Sequence, residues 1–161
     1  MANDSTTRPT FVHAAEVPPH QAASLYPRVF WPRIEGRARR RLGNVFGLTN
    51  FGVNLTTMEP GAETALRHAH SLQDELVYVL SGTPTLVTND GEFELGPGDC
   101  AGFKAGTGNA HHLVNRTEAG VVLLEIGDRT KGCVAEYPDD DVRMQIDGGV
   151  ISFTKKDGSA Y

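Results

Sequence analysis

The chain has 161 residues, of which 39% are hydrophobic, 22% charged and 7% aromatic. This balance is typical of a globular protein and excludes a wholly disordered or fibrous chain, and the length predicts one domain. The formal net charge of -5 argues against general nucleic-acid binding, which needs clustered positive charge. No apolar run reaches the roughly 18 residues that cross a bilayer. The polar N-terminus has no signal-like apolar stretch, so we predict a cytoplasmic protein without membrane partners.

The first 43 residues carry several prolines and no sustained hydrophobic periodicity. We therefore interpret residues 1–43 as an N-terminal arm that packs on the main domain or on a partner subunit. Residues 37–41 form a basic run, Arg-Ala-Arg-Arg-Arg, which is compatible with a phosphate or nucleic-acid patch. Because no aromatic residue interleaves the arginines and the net charge is negative, we favour a solvated surface or a subunit contact.

Hydrophobic residues begin to alternate in the next segment. Phe51, Val53 and Leu55 alternate with smaller or polar residues, which predicts a β-strand. Further short apolar or β-branched stretches follow, with Gly, Pro, Asn and Asp turn signals between them; they cover residues 76–80, 85–88, 93–95, 100–103, 111–115 and 121–126. We find no helical periodicity of comparable strength among them.

Seven or so short strands of this kind favour an all-β antiparallel barrel or jelly roll over residues 44–128. The Asn89-Asp90-Gly91 sequence predicts a tight hairpin inside it. Residues 129–161 are predicted to be a C-terminal tail, with a possible last strand at residues 150–154.

Four of the six histidines lie in two places along the predicted strands. His68 and His70 are two residues apart, so on a strand both side chains face the same side. Glu75 is an odd number of residues from His68 and His70, so on one straight strand it would face the opposite side. Residues 71–74 can turn the chain, however, so that Glu75 opens the neighbouring antiparallel strand and also faces inward. In the second place His111 is predicted to face inward. His112 has the opposite strand phase, so we predict that it lies at the surface or at an interface.

Together these residues resemble the two motifs of the cupin superfamily. The first motif runs from Gly61 through six residues to His68-Ala69-His70, then through four residues to Glu75 and six more to Gly82. The second contains Gly98-Asp99, a glycine-rich loop, and His111 followed after three residues by Asn115. Lys104 stands where the family usually has proline, and the loop before His111 is about two residues longer than usual. The resemblance extends over residues 48–126.

The resemblance implies a double-stranded β-helix barrel with one metal ion. The implied metal ligands are His68, His70, Glu75 and His111. Three imidazoles and a carboxylate suit one divalent ion such as Mn, Fe, Co, Ni or Zn. Backbone N–H groups of the loop before His111 can hold an anion; we expect the substrate-binding residues to be Lys104, Gly106, Gly108 and Asn115.

Several functions are compatible with such a site. Our first choice is an enzyme that uses the metal as a Lewis acid on a small oxygen-rich substrate, as a sugar or sugar-phosphate isomerase does. The alternatives are an Fe- or Ni-dependent dioxygenase or decarboxylase of a small organic acid, and a small-molecule-binding cupin without catalysis. The residues identify no general base, since the facing of Glu125 is not determined by its position near a strand end.

Residues 76–80 are apolar on both faces of the predicted strand. One face can line the barrel interior, and the other also needs a cover. We therefore predict a homodimer.

Overall fold

The structure is a computed structural model that describes residues 8–21 and 24–161. The first seven residues of the predicted arm and residues 22–23 lie outside the described part. Two 3-10 turns, Ala14–Glu16 and Arg28–Phe30, and two short helices, α1 (Trp31–Ile34) and α2 (Leu42–Val45), precede most of the strands. The strands are β1 (Arg37–Arg41), β2 (Phe51–Met58), β3 (Ala69–His70), β4 (Glu75–Ser81), β5 (Thr85–Thr88), β6 (Gly91–Glu94), β7 (Cys100–Phe103), β8 (His112–Val114), β9 (Val121–Asp128), β10 (Val134–Glu136), β11 (Arg143–Asp147) and β12 (Val150–Thr154).

These strands form three antiparallel sheets. The five-stranded sheet has the order β1-β2-β9-β4-β7, the four-stranded sheet β12-β11-β10-β3, and the three-stranded sheet β6-β5-β8. The predicted all-β antiparallel class is therefore confirmed. β5 and β6 pair from Thr85↔Glu94 to Thr88↔Gly91, which places the turn at Asn89 and Asp90 as their sequence predicts.

The two strands that carry the first motif, β3 and β4, do not pair with each other. β3, which carries His70, pairs with β10 in the four-stranded sheet, whereas Glu75 opens β4 in the five-stranded sheet. The expectation of neighbouring antiparallel strands was therefore wrong in detail. Residues 71–74 carry the chain from one sheet to the other, and Glu75 still faces the interior.

The strand β1 falls in the segment that we interpreted as an arm. It pairs along its whole length with β2, from Arg37↔Met58 to Arg41↔Asn54, and so forms an edge of the five-stranded sheet. Its sequence has no alternation of apolar and polar residues, which is the signal that marks a half-buried strand. Its inner face carries charged residues instead of apolar ones.

The main core lies between the five-stranded and three-stranded sheets. Strand β4 shows how the sequence builds it, because Val77 and Val79 are buried while the alternating residues on its other face are exposed. The buried residues of this core are Met58, Ala62, Val77, Val79, Leu86, Leu113, Val121 and Leu123. Each large side chain buried in this way contributes about 1.5–3 kcal/mol.

A second cluster closes the other end of the molecule with residues of the C-terminal tail. Leu66, Ala135, Tyr137, Val142 and Met144 are buried there. Tyr26 and Phe30 from the N-terminal region and Phe153 from β12 pack against them. Residues from the N-terminal region and from the C-terminal tail thus both contribute to this second cluster.

An ionic network ties α1 to the loop segments around Glu63 and Asp140. Arg33 bonds the carboxylates of Glu63, at 2.9 Å, and of Asp140, at 2.8 Å. The same Glu63 carboxylate lies 3.2 Å from Nδ1 of His112, and that nitrogen also donates to the carbonyl of Ala65 at 3.1 Å. The prediction that His112 lies at the surface was therefore wrong. The chain around Glu63 and Ala65 covers the outer face of β8, so this side chain is buried although it points away from the barrel interior.

Candidate metal centre and its cavity

The predicted metal ligands converge at one wall of the barrel. The ligand atoms of His68, His70 and Glu75 all lie within 4.8 Å of one another. Nε2 of His68 is 3.1 Å from Nε2 of His70, and each of these nitrogens is 3.7 Å from Oε2 of Glu75. Nε2 of His111 is 3.0 Å from the same carboxylate oxygen. The strand phases and the turn at residues 71–74 thus bring all four side chains together.

Backbone pairing fixes the relative positions of the two motifs. His68 donates its N–H to the carbonyl of His111 at 3.1 Å, and His111 donates back to His68 at 2.8 Å. This isolated bridge joins the segment before β3 to the segment before β8. The ring of His111 also stacks on Phe103 of β7, with 3.4 Å between ring centroids and an interplanar angle of 1°. His111 is therefore held from two sides.

The outer nitrogens of the histidines set their tautomers. Nδ1 of His68 lies 2.7 Å from the carbonyl oxygen of Leu66, which can only accept, so this nitrogen carries the proton and Nε2 presents its lone pair to the cluster. Nδ1 of His70 lies 3.3 Å from Sγ of Cys133, and that thiol donates to the carbonyl of Val134 at 3.6 Å. The same tautomer follows for His70. This is the arrangement of outer partners that metal-binding histidines use.

The protonation states also suit cation binding. Burial lowers the pKa of His68 to about 3 in spite of the nearby Glu75 carboxylate, so its imidazole is neutral near pH 7. Burial by itself would raise the pKa of Glu75, but the surrounding imidazoles outweigh it and lower that pKa to about 2. The site thus contains an ionised carboxylate beside the neutral imidazole of His68.

One carboxylate oxygen of this cluster is without a hydrogen bond. Oε2 of Glu75 is buried and forms no hydrogen bond, although Nε2 of His111 lies 3.0 Å away. A buried charged oxygen without a partner carries a large desolvation cost. Imidazole and carboxylate are also a donor set that divalent transition metals prefer. Both observations fit a cation at this position.

The cluster lines a cavity of about 1010 Å³. The inner face of the five-stranded sheet forms much of the wall, and Glu125 projects from β9 into it. Arg39 binds the Glu125 carboxylate through two nitrogens, at 2.9 and 3.0 Å, and the hydroxyl of Thr56 donates to the same group. Sequence reasoning left the facing of Glu125 open. The alternation of Val121, Leu123 and Glu125 along β9 was the signal that could have placed it inside.

The basic run also faces this cavity in part. Arg37, Arg39 and Arg41 alternate along β1 and line the cavity wall, while Arg40 is not part of that wall. The interpretation of Arg37 and Arg39 as part of a solvated outer surface was therefore wrong, and a subunit contact of this run stays a prediction. Charged residues of one sign can line an interior when a carboxylate and backbone carbonyls face them, here Glu125 and the carbonyl of Thr64.

The residues predicted to bind substrate lie elsewhere. None of Lys104, Gly106, Gly108 and Asn115 lines the large cavity; Lys104 borders a small recess on another side of the metal cluster. The N–H of Gly106 donates to the carbonyl of His70 at 2.9 Å, and the carbonyl of Gly108 accepts from Asn89. Asn115 is fully buried and bonds the carbonyls of Met58 and Ala119. A role of these four residues in substrate binding stays a prediction.

Comparison with known proteins accounts for this architecture. Residues 54–127 match the family model of the cupin domain. A solved structure of a sugar phosphate isomerase of the cupin superfamily from Silicibacter pomeroyi is 42% identical to this chain, covers 94% of it and 96% of its own length, and superposes with a TM-score of 0.88. The chain belongs to the cupin superfamily. This confirms the family resemblance and the jelly-roll barrel predicted from the sequence.

Other solved structures share the cupin fold. A protein provisionally named a sugar phosphate isomerase, from Acidithiobacillus ferrooxidans, is 29% identical over 85% of this cupin and 95% of its own chain, with a TM-score of 0.70. A polyketide cyclase from Streptomyces resistomycificus is 21% identical over 73% of this chain and 78% of its own, with a TM-score of 0.60, and shows the fold alone. A search of curated protein sequences gives no match. In the described residues no helix is both long and apolar enough to cross a membrane.

Proposed function

We propose that this cupin is a metal-dependent enzyme that interconverts the carbonyl and hydroxyl positions of a sugar or sugar phosphate. The observation that carries the proposal is the convergence of three histidines and Glu75 on the wall of a cavity that also contains a second carboxylate, Glu125. Similarity to a sugar phosphate isomerase over nearly the whole chain supports it. The arginines of β1 face the cavity, which favours a small-molecule substrate over nucleic acid.

His68, His70, Glu75 and His111 would hold one divalent ion, for which Mn, Zn, Fe, Co and Ni are all chemically suitable. When bound, such an ion supplies Lewis-acid polarisation of a carbonyl and an adjacent hydroxyl. The protein contributes the orientation of the ligands. Leu66 and Cys133 hold the outer nitrogens of His68 and His70, so the lone pairs of both rings stay directed at the ion position.

Isomerisation also needs a base, and Glu125 has the position for it. Its carboxylate projects into the same cavity as Glu75, from the strand next to β4, where Val77 is its register partner. In this proposal Glu125 accepts the proton from the hydroxyl-bearing carbon next to the carbonyl and returns it to the former carbonyl carbon, while the hydroxyl proton passes to the former carbonyl oxygen, so no net proton is gained or lost. Arg39 and Thr56 hold the carboxylate in one orientation.

The test is elemental analysis of untagged protein together with an assay of aldose–ketose interconversion on a panel of sugars and sugar phosphates. We expect about one equivalent of metal and turnover of at least one substrate. In His70→Ala we expect metal affinity to fall by at least about tenfold, a lower melting temperature because the remaining ligands stay buried without a cation, and loss of turnover. His13→Ala, which removes an exposed histidine, is the matched control and should change none of these.

Three outcomes would redirect or contradict the proposal. Stoichiometric metal in His70→Ala would show that the ligand assignment is wrong. One equivalent of Fe or Ni with oxygen uptake or CO2 release from a small organic acid would indicate dioxygenase or decarboxylase chemistry. Tight binding of sugars without turnover would indicate a cupin that binds small molecules without catalysis.

We also propose that the protein works as a cytoplasmic homodimer. The described cysteines, Cys100 and Cys133, are both free, which suits a reducing compartment. On the outer face of β4, Leu76, Tyr78 and Leu80 are 40%, 39% and 45% exposed, a run that a second subunit would cover.

A further inference from the structure

The inner face of β1 brings three positive charges to the cavity that contains the metal ligands. Arg37, Arg39 and Arg41 stand at alternate positions on this strand and line the cavity. Arginine is rarely placed on an inner barrel wall unless a negative group meets it, because an unpaired guanidinium loses its hydration there. The partners of each arginine therefore indicate what the cavity is built to receive.

Only one of these three charges is neutralised by an ion pair within the described residues. Arg39 forms a two-point ion pair with Glu125, and a third bond from its guanidinium reaches the carbonyl of Thr64 at 3.0 Å. Arg37 donates to the same carbonyl but meets no carboxylate within ion-pair distance. Arg41 likewise meets none. Because Arg41 is exposed to solvent, the half-buried charge of Arg37 is the one that remains for a ligand.

The pKa shifts of the three arginines agree with this pairing. Burial, followed by repulsion from Arg39, lowers the pKa of Arg37 to about 10 although Glu125 acts in the opposite direction. Burial and the charges of Arg39 and Arg129 also lower the pKa of Arg41. In contrast the attraction of Glu125 outweighs burial at Arg39 and raises its pKa. A bound anion would relieve the unfavourable charge at Arg37.

Arg37 and the candidate metal ligands line one cavity. Tyr137, which stacks on His68 with 5.5 Å between ring centroids, belongs to the same cavity wall. A ligand in this cavity therefore has access both to the candidate metal site and to Arg37.

We propose that Arg37 forms a subsite that binds the phosphate group of a phosphorylated substrate while the candidate metal site meets its carbonyl end. This inference deepens the proposed function and rests on it for the role of the metal. A phosphate group supplies the negative charge that the unpaired guanidinium of Arg37 lacks. The planar fork of arginine donates two parallel hydrogen bonds to phosphate oxygens. Arg39 is a positioning residue, because its guanidinium is already paired with the carboxylate of Glu125.

The experiment measures binding of inorganic phosphate to the purified full-length protein by calorimetry, with acetate as a monoanion for comparison. We expect phosphate to bind more tightly than acetate. In Arg37→Gln we expect the phosphate affinity to fall about tenfold or more, because hydrogen bonds to charged groups are lost. Arg40→Gln is the matched control, since it removes the same charge from the same strand outside the cavity wall, and should bind phosphate like the wild type.

A second variant separates this proposal from the metal proposal. His70→Ala should keep its phosphate affinity, because phosphate is bound by Arg37. Loss of phosphate binding in His70→Ala with full binding in Arg37→Gln would show that phosphate binds at the metal, and would overturn the subsite. Normal metal content in Arg37→Gln, with phosphate binding lost, supports the subsite even if no isomerase activity is found.

A third measurement applies if Arg37→Gln does not fold. Arg37→Lys keeps a positive charge but loses the two-point fork, and its NMR spectrum identifies the side-chain Nε–H signal of Arg37 in the wild type by its disappearance. Addition of phosphate to the wild type should shift that signal. A signal that stays in place at saturating phosphate would overturn the proposal.

Discussion

At the scale of single residues, the candidate metal site depends on which ring nitrogen of each histidine carries the proton. The carbonyl of Leu66 and the thiol of Cys133 hold the Nδ1–H groups of His68 and His70. Leu66 lies in the six-residue spacer of the first motif, whereas Cys133 lies outside both motifs. A substitution at Cys133 can therefore affect the metal site without removing any ligand.

The role of Glu125 leads to a prediction about activity. Glu125→Gln keeps the size of the side chain and one oxygen that accepts hydrogen bonds from Arg39 or Thr56, but it removes the base. We expect kcat for isomerisation to fall about 100-fold or more, with KM within a few-fold and metal content unchanged. Steady-state kinetics and elemental analysis measure these quantities. Unchanged kcat would exclude Glu125 as the base, and a rise in KM alone would indicate a binding role.

Buried His68 leads to a prediction about the pH dependence of stability in metal-free protein. Its pKa is about 3 in the folded state and about 6.5 when unfolded, so the unfolded state binds the proton more tightly. Stability is therefore fully present above pH 6.5 and falls as the pH decreases toward 3. From pH 7.5 to 5 this residue should lower the free energy of unfolding by about 2 kcal/mol.

Urea denaturation of EDTA-treated protein at the two pH values measures this change. His68→Asn should show a smaller loss of stability between the two pH values, whereas the control His13→Ala should show the full loss. The same pH dependence in all three proteins would mean that other groups cause it.

At the scale of elements, the ligands come from segments with weak regular structure. β3 has only two residues, and His68 and His111 are joined by one isolated bridge. The sequence pattern places the histidines on strands correctly by phase. It does not show that β3 pairs with β10, because residues 134–136 carry no alternation long enough to mark a strand.

The Arg33 network leads to a prediction at this scale. Arg33 bonds Glu63 and Asp140, whose side chains are only 16% and 14% exposed. Arg33→Ala leaves both carboxylates without this partner, and we expect the free energy of unfolding to fall by about 1–3 kcal/mol. Arg143→Ala breaks an exposed pair with Glu136 and should change it by less than about 1 kcal/mol. Equal effects in chemical denaturation would show that the network adds nothing beyond a surface ion pair.

At the scale of the whole molecule, the outer face of the five-stranded sheet leads to a prediction about assembly. The wild type should have the mass of two chains by light scattering at micromolar concentration. Leu80→Glu places a charge on this face and should shift the mass toward one chain. Phe93→Glu, which changes a 48% exposed residue of β6 in the three-stranded sheet, should stay dimeric. A wild type with the mass of one chain would contradict the dimer.

The sequence by itself determined the family and the all-β class, and it predicted the four side chains that the structure brings together at the cavity wall. These follow from local rules, since side chains two residues apart share a face and glycine-rich turns end short strands. The same rules also predict that Val77 and Val79 lie in the core. They are local because each depends only on neighbours along the chain.

Only the tertiary structure decided where charged residues and distant strands meet. The basic run of β1 faces inward because Glu125, 86 residues after Arg39, stands across the sheet from it. His112 is buried because residues near Glu63 cross its face. Contacts of this kind join residues far apart in sequence, and the desolvation of a charge depends on the partner it meets there. The cavity with its unpaired guanidinium groups is therefore a property of the folded chain.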